Sequence, residues 1–360
     1  MKLTAQQQAR LDSYKLVPRP GVVEAVLDSE AKAGRLDWQL APVMAERLRH
    51  VYPKIMEATY PEFAAANGKV LPIDSSPNPA DESWRYFLID GQASCAWIGD
   101  DGTLAPSSSM TMRQFDGKFA QFGHKWDVTV FDLERAAKAN VPLQTFKGKL
   151  SKKAHEAWKN WFWLFGSKSH ELEGLVNNPN VTHFLAAQNG GSTSRLWANK
   201  TDDEILADVA KMIDRIPTDT IREHYAAKVF LSLAMVQECM RRYLASTASG
   251  TVTLWDRIKH AYAGDETGQG KVSFQILNEC SAALRKNPET RTDDSGISGD
   301  FMMALPSDDS DQLAFLSARP FSQEAPQQTD LKIETITHEK IGGCKCQIPK
   351  AVVVMRFGTT

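Results

Sequence analysis

The sequence predicts an α+β fold built in order from an arm, a long β-hairpin, one long helix and a mixed α/β domain. Three observations carry this. Residues 84–131 hold two runs rich in aromatic and β-branched residues around a strong turn signal. From Leu143 to Phe165, apolar residues recur in steps of three and four. Beyond residue 174, capped helical stretches alternate with short β-like runs.

Residues 1–66 read as an extended, mostly helical arm. Pro18, Pro20, Pro42, Pro53 and Pro61 break its helical spacing into short pieces. "LPIDSSPNPADES" is a loop. Residues 67–131 form the hairpin and its root. "WRYFLIDGQASCAWIG" and "SMTMRQFDGKFAQFGHKWDVTVF" are its strands, and "DDGTLAPSS" is its turn. A two-stranded ribbon is not stable alone in water, so it must lie on its own subunit or on a neighbour.

Residues 132–173 carry the long helix. Asp132 caps a first turn or two and Pro142 interrupts. Leu143, Phe146, Leu150, Ala154, Ala157, Trp161 and Leu164 mark one face of a helix roughly 35 Å long. Its first half is a basic amphipath with Lys147, Lys149, Lys152 and Lys153. Its last two turns are apolar nearly all round, with Trp158, Trp161, Phe162, Trp163 and Phe165 crowded together. Such a helix begins on a surface and ends in a core, which makes Trp158, Trp161, Phe162 and Phe165 the expected anchors. Gly166 stops it.

Residues 174–360 form the mixed α/β domain. Thr201 and Glu204 are placed as a capping box, and Pro217 ends that helix. "AKVFLSLAMV" reads as a buried strand and "TVTLWDRIKHAYAG" as a capped helix. "ETRTDDSGISGD" reads as a flexible loop, and "LSARPFSQEAPQQTD" (316–330) as a surface loop. "DFMMALP", "LKIETITHEKIGG" and "CKCQIPKAVVVMRF" read as strands.

Composition narrows the function classes. The net charge of −2 gives no general pull toward nucleic acid or membrane. No apolar run approaches a membrane span, and "MKLTAQQQARLDSYK" lacks the apolar core of a signal peptide. Five irregularly spaced cysteines do not form a disulfide framework. His338, Cys344 and Cys346 are the one metal-like group, but they lack a fourth ligand and read as buried thiols. "GDETGQGKV" fails as a phosphate loop, because five residues separate Gly264 from Gly270 and Val272 replaces the required hydroxyl. The paired acids at 100–101 and in "DDSD" sit in turns. "KLSKKAHEAWKNWFW" interleaves lysines and rings, yet the lysines occupy early turns and the rings late ones. No catalytic constellation stands out, so no enzyme activity, cofactor or metal is expected.

The order of elements resembles the major capsid proteins of tailed bacteriophages, with their Hong Kong 97-type fold. "FGHKWDVTVFDLERAAKAN" is similar to the strand that turns into the spine helix of that family. "LEGLVNNPNV" resembles the link into the axial domain, "LWANKTDDEILADVAKMIDRI" the axial-domain helix, and "CQIPKAVVVMRF" the closing strand. The resemblance covers roughly residues 80–357. It implies an N-terminal arm, an extended loop, a peripheral domain with the spine helix, and an axial domain whose last strands return to the peripheral one. It also implies self-assembly as pentamers and hexamers into an icosahedral shell around double-stranded DNA, without sequence-specific contacts. Portal, scaffolding and decoration proteins are the implied partners, and the virion, built in the bacterial host cytoplasm, is the implied location. Arg85, Trp97, Asp100, Asp101 and Arg113 are then the expected contacts between subunits. The lysine–asparagine pair that cross-links some members has no counterpart that can be placed here. The arm is too short and proline-rich for a cleaved coiled-coil scaffolding segment. A nanocompartment shell of the encapsulin type, enclosing a cargo enzyme, is the near rival. A soluble α/β enzyme is the rival from another class.

Overall fold

The computed structural model describes residues 62–95, 108–139, 142–191, 193–243, 252–262, 271–307 and 309–358. Most of the arm, the hairpin turn with Trp97, Asp100 and Asp101, and residues 264–270 of "GDETGQGKV" lie outside the described residues.

The strands are β1 (Ile73–Asp74), β2 (Ser83–Gln92), β3 (Ser109–Thr129), β4 (Thr182–Leu185), β5 (Lys228–Leu231), β6 (Ser273–Ile276), β7 (Phe301–Leu305), β8 (Leu313–Gln323), β9 (Gln327–Thr329), β10 (Lys332–Cys346) and β11 (Val353–Arg356). The helices are α1 (Val130–Lys138), α2 (Leu143–Phe165), α3 (Asp202–Asp219), α4 (Leu233–Arg241) and α5 (Leu254–Ala261).

Two sheets organise them. One runs β1-β8-β10-β3-β2, with β9 added to β10, and the other runs β4-β11-β7-β5-β6. In the second sheet residues alternate cleanly. Phe230, Phe301, Met303, Leu305 and Val354 face a core shared with α2 and the first sheet. Val229, Leu231, Met302, Ala304, Val353 and Met355 face a second core under α3, α4 and α5. A sheet covered on both faces explains the unbroken apolar runs "FMMAL" and "VVVM".

Local chemistry starts and stops the helices. Thr129 caps α1 through Asp132 N, so Asp132 sits inside the first turn rather than at the cap. Thr201 and Glu204 make the full capping box of α3. Pro217 does not end that helix. It lies in the last turn, where it removes one i→i−4 bond without ending the helix, and the Thr220 hydroxyl donates to Ile216 O. "AKVFLSLAMV" is strand β5 and then helix α4, divided by Ser232, whose hydroxyl caps Met235 N.

The segment 316–330 is not a surface loop but most of β8 plus β9. Pro320 lies where the β8–β10 register shifts, so its missing N–H interrupts an already irregular ladder. "LKIETITHEKIGG" and "CKC" belong to one fifteen-residue strand. "ETRTDDSGISGD" is a tied loop. Arg285, fully buried, donates to Asp293, Ile297 O and Gly299 O.

Candidate assembly surface and its anchor

The hairpin has two parts. Residues 119–129 of β3 pair with β10 inside the first sheet, so the ribbon is rooted in its own subunit. Residues 83–92 and 109–118 pair only with each other along this stretch, forming ten opposed pairs and roughly 30 Å of ribbon.

The two faces of the ribbon differ. Trp84, Tyr86 and Phe115 stack along one face, with centroids 5.8 and 5.0 Å apart and rings nearly parallel. Trp84 lies over Gly117, where a Cβ would stand 2.3 Å from the indole. The Tyr86 hydroxyl donates to Cys346 O at 2.8 Å. Burial pushes its pKa up to about 12, so it remains a donor at neutral pH. The opposite face carries Phe87, Ile89, Met112 and Met110. These are 55%, 55%, 62% and 73% exposed, and the register pairs Ile89 with Met112. Arg85 lies on this same face and pairs with Asp116 at 2.5 Å. Arg113 is exposed, opposite Leu88 on the aromatic side. The expected contacts Arg85, Trp97, Asp100, Asp101 and Arg113 do not include this apolar patch, although period-two alternation of Phe87, Ile89, Met110 and Met112 was the available signal.

The anchor is the end of α2. Trp161, Phe162 and Phe165 are buried, while Trp158 is partly buried and stacks on Phe122 at 5.9 Å. Trp163, outside the expected set, is fully buried and lies flat on Phe315 of β8 at 5.0 Å. These rings fill the space between the two sheets. Gly166 ends the helix with φ +66, and a Cβ there would stand 2.3 Å from Leu172 O. The chain then turns back, with Leu175 N donating to Trp163 O and Val176 N to Leu164 O.

In the middle of α2 the buried face is not the apolar stripe: Leu150 is 49% exposed. Ser151 and His155 turn inward instead, onto β10. Glu339 of β10 is wholly buried, 2.8 Å from Lys159 Nζ and 3.4 Å from His155 Nδ1. The Thr337 hydroxyl donates to His124 O and lies 2.7 Å from Ser151 Oγ and 3.1 Å from His155 Nε2. Lys340, the next residue, turns the other way and donates to Pro79 O. These charges sit where β10 shifts register against β8. They hold the long helix to the sheet by specific polar contacts. No sequence period announced them, because each partner is distant in the chain.

Among the described residues, no group of three or more His, Cys, Asp or Glu side chains is placed to hold a metal. Cys344 and Cys346 are buried thiols, and burial pushes the Cys346 pKa up to about 12. His338 instead meets Arg319 and Glu324.

A ribbon rooted in one sheet, a long helix wedged between two sheets and a doubly covered second sheet together define a Hong Kong 97-type shell fold. The sequence profile of the family described as "Major capsid protein" matches residues 91–355. The chain belongs to that family. A search of curated proteins finds no match. Solved structures with a similar fold include the capsid of Myoviridae phage XM1, with 12% identity and a TM-score of 0.67 over 87% of this chain and 97% of that one. The capsid of the native GTA particle has 8% identity and a TM-score of 0.59 over 90% and 100%. Gordonia phage Cozz has 9% identity and a TM-score of 0.56 over 96% and 99%. At these identities the likeness speaks for the fold.

Proposed function

We propose that copies of this chain assemble as pentamers and hexamers into an icosahedral shell enclosing double-stranded DNA. The observation that carries this reading is the ribbon's uncovered apolar face, Phe87, Ile89, Met110 and Met112. Contiguous apolar surface of this kind marks a contact with another chain. A neighbouring copy would cover it, with Arg85 on the same face at the margin of the contact and Arg113 on the opposite face. Portal and scaffolding proteins would join the assembly in the bacterial host cytoplasm. The near-neutral chain suits a container whose DNA is largely neutralised by small cations.

Light scattering and negative-stain imaging of the purified protein test this. Closed particles or capsomers are expected, with nucleic acid inside native particles. A monomer across salt and concentration overturns the shell reading. Native particles filled with a co-purifying enzyme would replace the phage reading with the nanocompartment one.

A further inference from the structure

The chain contains two Asn–Gly pairs, Asn67–Gly68 and Asn189–Gly190. They are held very differently. At the second, Gly190 N donates to Glu204 Oε1 at 2.8 Å. Gly191 N donates to Asn189 Oδ1 at 2.7 Å, folding the amide back over the Asn189–Gly190 peptide. Asn189 Nδ2 donates to Asn199 O. At the first pair, Gly68 N donates to the backbone carbonyl of Ala65.

We propose that Asn189 is a self-processing site, at which the Gly190 nitrogen displaces the side-chain amide and water then opens the ring to aspartate and isoaspartate. The structure supplies a proton acceptor at the nucleophile and a donor at the amide oxygen. The Gly190 nitrogen is the nucleophile, and Glu204 accepts its proton. Gly191 N–H stabilises the negative charge that develops on Oδ1 during attack. The N–Cγ bond forms and the Cγ–Nδ2 bond breaks. Glu204 returns the proton to the leaving nitrogen, which departs as ammonia. Water then adds to one carbonyl of the five-membered imide and breaks one of its C–N bonds. No oxidant or further reactant enters. Glu204 is an ionised carboxylate at neutral pH and its Oε1 already receives the Gly190 N–H, although the Gly190 and Thr201 N–H groups that lower its pKa also make it a weaker base. Conversion would replace the Nδ2–Asn199 contact with a carboxylate facing a carbonyl oxygen, beside the Glu204 carboxylate. The 186–199 segment would loosen at the start of α3.

Asn67 is the internal control. It is exposed and Asn189 only half-buried, so exposure alone predicts the opposite order of reactivity. The test incubates the folded full-length protein at neutral pH and follows both sites by peptide mapping with isoaspartate detection. Asn189 is expected to convert first, with the two rates converging in urea. Glu204→Gln, which keeps an acceptor for the cap, should slow Asn189 by roughly tenfold, below the usual general-base range because this carboxylate is solvated. Gly190→Ala, whose backbone needs no positive φ, should slow it as well. Asn67 converting as fast as Asn189 in the folded chain would overturn the proposal. So would an unchanged rate in a folded Glu204→Gln protein.

Discussion

The β2–β3 ribbon and the last turns of α2 are both dense in rings and large apolar side chains, yet they end in opposite environments. Trp161, Trp163 and Phe165 disappear between two sheets, while Phe87, Ile89, Met110 and Met112 remain in solvent. The difference is one of available partners. A helix end can be surrounded on all sides by its own chain. A ribbon has two faces, and this subunit lines one of them with the Trp84–Tyr86–Phe115 stack, leaving the other uncovered. Apolar surface in the first region stabilises the subunit. In the second, under the function proposed above, it is surface for contact between subunits.

That contrast can be broken at its strongest point first. Trp163→Ala removes a fully buried ring stacked on Phe315. It should cost about 3–5 kcal/mol, read as a shift in the urea midpoint of unassembled protein. Trp161→Ala should fall in the same range.

Next is the charge cluster beneath α2. Lys159→Met leaves Glu339 buried and under-compensated, a loss of about 3–5 kcal/mol by the same measurement. Adding Glu339→Met should recover much of it, because a buried ion pair and an apolar pair are often close in stability. A double variant as unstable as the single one would show that the cluster does more than compensate charge.

Smaller effects sharpen the comparison. Thr201→Ala removes the α3 cap and should cost about 1 kcal/mol. Glu279, beside Asn160 at the anchor, has its pKa raised by burial. Its contribution is therefore full below the unfolded carboxylate value, about 4.3, and is lost as pH rises through the higher folded value. Glu279→Gln should flatten that fall, which begins as pH rises above about 4.3, in urea titrations. The smallest change in stability belongs to the ribbon: Ile89→Asp should leave the urea midpoint within about 0.5 kcal/mol, yet stop particle formation in light scattering. A variant that assembles normally would show that this face is not the contact.

Much of the fold was legible because its signals are local. The bounds of α2 follow from the spacing that starts at Leu143 and from Gly166, and the capping box follows from Thr201 and Glu204. What was misread had distant causes. Pro320 and Pro326 made 316–330 look like a loop, because the strand that pairs with it lies downstream. Leu150 belonged to the expected buried stripe, but β10 supplies Thr337 and the neighbouring Ser151 is the residue that turns inward. The apolar ribbon face could be seen as alternation, but not that it would stay uncovered.

The sequence by itself determined the ribbon, the bounds of α2 and the start of α3, because periodicity, caps and glycine stops act within a few residues. Only the tertiary structure decided which face of each element is buried, where Glu339 meets Lys159 and His155, and that one aromatic cluster joins two sheets while the ribbon's apolar face is left open. Those outcomes depend on pairings between segments far apart in the chain, and no local pattern encodes the partner.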